Sequence, residues 1–70
     1  MSETEEILIQ CLAAPDLQMR KETAMIVLSL LKTEKQKEKM VYWIAKNHKI
    51  NPTEEEVIEA AEQISERTKD

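Results

Sequence analysis

Lys32-Thr33-Glu34-Lys35-Gln36-Lys37-Glu38-Lys39 runs for about two helical turns without an apolar residue, and its reading decides the fold. Every residue in it except Thr33 favours a helix. It is therefore either a solvated bridge inside one long helix or a turn followed by a projecting helix start. Thr33 and Gln36 stand at capping-box spacing, at which the hydroxyl accepts from the backbone N–H three residues on and the amide side chain reaches back to the cap's own N–H. That cap favours the turn, with a separate helix on each side.

Working outward, the other boundaries come from similar signals, because the chain has no glycine and two prolines. Ser2 with Glu5 and Thr53 with Glu56 repeat the capping box, Asp16 after Pro15 is placed to cap a second helix, and Pro52 drives Asn51 out of helical geometry. Four helices are predicted near 3–14, 17–32, 34–48 and 54–67, with the last residues, Thr68-Lys69-Asp70, fraying. Apolar spacing agrees: Ile7, Leu8, Cys11 and Leu12 share a face of the first helix, Met40, Val41, Trp43 and Ile44 gather on the third, and Val57, Ile58, Ala61 and Ile64 on the fourth. The second is apolar over much more than one stripe, from Leu17 through Ala24 to Leu31, and is expected to be touched on more than one side. The fold class is all-α: one domain, a compact bundle of four short helices with a central apolar second helix. Connections of a few residues predict consecutive helices running roughly antiparallel. If the second helix forms the core, truncating Leu28 to alanine is expected to cost about 2–5 kcal/mol.

At 70 residues the chain lies near the lower limit for a self-sufficient core, so extra burial by self-association would help. One cysteine cannot form an internal disulfide, and a lone cysteine with a lone histidine cannot complete a structural zinc site. No cofactor is expected. The start is acidic where a secretory leader needs positive charge, which predicts a cytoplasmic protein. The longest apolar run, Ala24–Leu31, is broken by Ser29 and is far short of the ~20 residues that span a bilayer, so no membrane partner is expected.

Charge is sorted into blocks: net −3 over residues 1–31, +4 over 32–50 and −5 over 51–70. On a helix, Lys35, Lys39, Tyr42, Lys46 and Lys49 fall within an arc of about 80°, forming a basic ridge able to follow phosphates or an acidic protein face. Lysine without arginine lacks the bidentate fork suited to specific phosphate or guanine contacts. The overall charge of −4 also opposes a polyanion. Glu55, Glu59, Glu62 and Glu66 form an acidic ridge at related spacing on the last helix. The two ridges either face each other across a groove or pair between copies, and a soluble solvated face is the plainer alternative for each.

Cys11 and His48 hold the residue types of a thiolate nucleophile and its base. Cys11, however, lies in register with Ile7, Leu8 and Leu12, which predicts a small, inert core residue. No catalytic role is assigned. Ile9, Met25 and Trp43 lie off or at the edge of their helices' apolar arcs and are candidates for an apolar association surface. The expected function is a non-enzymatic interaction module with a protein partner or a homo-oligomer. The rival is a small nucleic-acid-associated protein that holds phosphates on the lysine ridge.

Overall fold

In a computed structural model, which describes residues 3–67, the helices are α1 (Glu3–Ala13), α2 (Lys21–Leu30), α3 (Glu34–Asn47) and α4 (Glu54–Arg67), with a 3₁₀ turn at His48–Ile50. The expected cap at Ser2 and the fraying of residues 68–70 lie outside the described residues. No helix among those described is long and apolar enough to cross a membrane.

The break between α2 and α3 falls where Thr33 and Gln36 place it. The Thr33 hydroxyl accepts from the Gln36 N–H at 3.1 Å, and Gln36 Oε1 accepts from the N–H groups of Thr33 at 3.1 Å and Lys32 at 2.7 Å. Leu31 is extended and wholly buried, so the chain leaves α2 by dropping a leucine into the core. The start of α4 follows the same rule, with Thr53 N–H donating to Glu56 and Glu56 N–H to Thr53.

The start of α2 differs from the expected residue 17. Gln18 adopts a left-handed conformation (φ 50°), which interrupts helical geometry, and Leu17 and Met19 instead pack against the core from the connection. Asp16 caps no helix. Arg20 occupies the N-cap of α2 without a side-chain cap, and the carboxylate of Glu54, at the start of α4, accepts from the Arg20 N–H at 3.0 Å. An anion is thus borrowed from another helix to sit at the positive end of α2.

The core consists of Leu8, Leu12, Val27, Leu31, Met40, Ile44, Val57, Ala60 and Ala61. Thr23 and Gln36 are the buried polar residues, and among the described residues no buried side-chain polar atom lacks a partner. α2 is approached by α4 on one side and, less extensively, by α1 on another, while α3 lies against both α1 and α4. Pairing is interleaved: α1 packs mainly on α3, and α2 mainly on α4. Consecutive helices α1 and α2 therefore do not form the close hairpin that short connections suggested. Extended backbone at Arg20, Leu31 and Thr33 carries the chain onward instead of folding it straight back. Leu28 is half-buried beside this core, and its truncation is accordingly expected to cost less than the full-core figure.

Candidate functional site

The lysine ridge is built on α3 because the buried residues Gln36, Met40 and Ile44 turn that helix's opposite face to solvent. Lys35, Lys39, Tyr42 and Lys46 are all exposed there, with Tyr42 65% accessible. Lys46 Nζ lies 5.4 Å from the centre of the Tyr42 ring, a cation–π contact that orients both groups. Lys49 is exposed too, but it belongs to the 3₁₀ turn, so the continuous α-helical register of the ridge ends at Lys46. Lys37, outside the ridge, pairs with Glu5 of α1 at 3.2 Å.

On α4 the buried residues Val57, Ala60 and Ala61 set the register, and Glu55, Glu59, Glu62 and Glu66 are all exposed. Among the described residues, ion pairs join Arg20 to Glu54, Lys37 to Glu5 and His48 to Asp16, and none joins the two ridges.

The candidate apolar surface divides. Met25 is 60% exposed on α2, whereas Trp43 is half-buried against the core and Ile9 is half-buried outside it. Ile26 stands beside Met25 at 44% exposure, because burial of Thr23 and Val27 turns residues 25, 26 and 29 outward. Sequence reading missed Ile26 by assigning it to an over-broad apolar face. Ile7 and Ile50 are exposed as well.

Cys11 is half-buried and lines an open cavity of about 210 Å³ with Leu17, Val41 and Ile44, and Asp16 and His48 also line it. His48 Nδ1 is 2.9 Å from Asp16 Oδ2. The expectation of a buried core thiol is thus corrected to a half-buried one beside an open cavity, which Ala14, Asp16 and Leu17 of the α1–α2 connection also line. This grouping of Cys11, Asp16 and His48 depends on tertiary packing and has no spacing signal in the sequence. Among the described residues, no cluster of His, Cys, Asp and Glu is arranged to hold a metal ion.

The most strongly tied charge is Glu54. Arg20 contributes its backbone N–H and its Nε, both at 3.0 Å to the carboxylate, with Nη2 at 2.9 Å. The backbone N–H foremost, then the guanidinium and the Thr23 hydroxyl, hold the Glu54 carboxyl below the usual range, and the carboxylate in turn raises Arg20. A carboxyl with a lowered folded-state pKa adds stability that is full above its unfolded value, near ~4.3, and is lost as pH falls through the folded value. Glu54→Gln is therefore expected to lower the melting temperature at pH 7 and to converge with the parent as both are titrated below about pH 4. A gap that does not narrow toward low pH would show that ionisation of Glu54 is not what stabilises the fold.

Compared with protein-family models, curated proteins and solved structures, the chain matches none.

Proposed function

We propose that this chain is a non-enzymatic protein–protein interaction module, acting in the cytoplasm, that self-associates or binds a protein partner. The outward face of α2 supplies contact area, and the charged ridges set orientation. The observation that carries the reading is the adjacent exposure of Met25 and Ile26 on a helix whose Val27 is completely buried. A helix needed only for the core would be expected to place polar groups at those positions. The unpaired thiol suits a reducing compartment.

Solution mass measured over a concentration series tests this reading. The parent chain is expected to rise above monomer mass with concentration, and Met25→Glu/Ile26→Glu to remain monomeric with unchanged helicity. A parent that stays monomeric, with a helical chain unable to retain any protein partner, would overturn it.

A second reading is favoured by one observation, the exposure of Tyr42 between lysines, which suits stacking on a base beside a phosphate track. On this reading the three lysines in register on α3 would release about three counterions, giving a slope near −2.7 in log affinity against log salt for duplex DNA. We expect no DNA binding tighter than about 10 μM at physiological salt, because net charge and the glutamates of α4 oppose a polyanion. Sub-micromolar, steeply salt-dependent binding lost in Lys35→Gln/Lys39→Gln would promote the nucleic-acid reading over the module.

A further inference from the structure

The exposed residues Lys35, Lys39, Tyr42 and Lys46 follow one another at steps of four, three and four, and so do Glu55, Glu59, Glu62 and Glu66. Each ridge extends about 16 Å along its helix. Because this step pattern reads the same from either end, an antiparallel alignment matches every position. We infer that the α3 ridge is a docking surface for the α4 ridge of a second copy of this chain, antiparallel, with Lys35 on Glu66, Lys39 on Glu62, Tyr42 on Glu59 and Lys46 on Glu55. This inference rests on the interaction-module reading and names the partner.

Charge complementarity selects that occupant. Among the described residues the ion pairs use Arg20, Lys37 and His48 with Glu54, Glu5 and Asp16, and none of them takes a charge from either ridge. Lys35 with Lys39, Glu55 with Glu59 and Glu62 with Glu66 are like charges at i, i+4, an arrangement that costs each helix stability until opposite charge arrives. Glu38 is exposed at the edge of the lysine ridge and offsets only part of its charge. A polyanion would satisfy the lysines and leave the glutamates repelled, whereas a second copy supplies both signs at one spacing. At the centre of the alignment the Tyr42 hydroxyl donates to the Glu59 carboxylate. Lys46 lies over the same ring, fixing the phenol where the register needs it. Antiparallel alignment also opposes the two helix dipoles, with the basic C-terminal end of α3 against the acidic N-terminal end of α4.

Charge swapping within one chain tests the pairing, read as solution mass against concentration. The parent's self-association is expected to weaken about tenfold or more between ~50 mM and ~500 mM salt. Lys35→Glu/Lys39→Glu should weaken it at least as much at low salt while keeping helicity. Adding Glu62→Lys/Glu66→Lys to that variant restores complementarity and should return the dissociation constant to within about threefold of the parent's. Adding Glu55→Lys/Glu59→Lys instead places like charges together and should not. Equal recovery in both swaps would overturn the antiparallel register, and association indifferent to all of these changes would overturn ridge pairing. If Met25→Glu/Ile26→Glu abolishes association while charge reversal does nothing, the module reading survives and this inference fails. A parent that never exceeds monomer mass removes self-pairing by either face.

Discussion

Truncating Leu31 to alanine is expected to lower the unfolding free energy by about 2–5 kcal/mol, the range for deleting a buried leucine whose surroundings relax only partly. Leu31 is wholly buried, although it lies just beyond the last turn of α2 in extended backbone. It joins the core that Leu8, Leu12, Met40 and Val57 complete. A domain of this size has a total stability of roughly 3–10 kcal/mol, so the loss is a large part of the whole. Urea titration should show a lower midpoint with an unchanged slope. The same change at half-buried Leu28 should cost clearly less, about 1–2 kcal/mol, because less area is returned to water by its removal. Equal losses at the two positions would mean that α2 is rotated about its axis, away from the register that buries Thr23 and Val27.

Replacing Gln36 with alanine is expected to cost about 1.5–3 kcal/mol. This buried amide accepts from the N–H groups of Lys32 and Thr33, completes the cap of α3, and extends its Nε2 to the Ser65 carbonyl of α4 at 3.5 Å. Gln36→Glu keeps an acceptor for the two N–H groups and loses the donor to Ser65. It should therefore lose less than alanine at neutral pH, as measured by the same titration. A glutamate variant no better than alanine would show that losing the tie to α4 and burying a charge against the Ser65 carbonyl together outweigh the retained cap.

How much of this was legible follows from the range of each signal. Thr33 with Gln36 and Thr53 with Glu56 announce two helix starts because a capping box is complete within four residues. The two ridges were legible for the same reason, since helical spacing alone places Lys35 with Lys39 and Glu55 with Glu59. Lys49 fell out of register because the chain changes from α to 3₁₀ geometry at His48, before Asn51 turns left-handed at φ 51°. The start of α2 was hidden because glutamine gives no warning of a left-handed turn, a conformation usually entrusted to glycine or asparagine. Asp16 resembled a cap but is bound to His48, which its own neighbourhood could not reveal. Amphipathic period identifies the face a helix buries without naming its partner, so interleaved packing and the cavity beside Cys11 emerge only in three dimensions.

That interleaving bears on how the chain finds its structure. Arg20 meets Glu54 across 34 positions, Asp16 meets His48 across 32 and Gln36 meets Ser65 across 29. A helical hairpin can close over its own turn and wait for the rest, but here α1 must be joined by α3 and α2 by α4. Only α3 against α4 is a substantial pair of consecutive helices among the described residues, and the two most extensive pairs join one half of the chain to the other. Ordering the chain therefore requires loops of nearly half its length to close before much reward is collected, which slows folding relative to a bundle of successive hairpins and favours a single all-or-none transition.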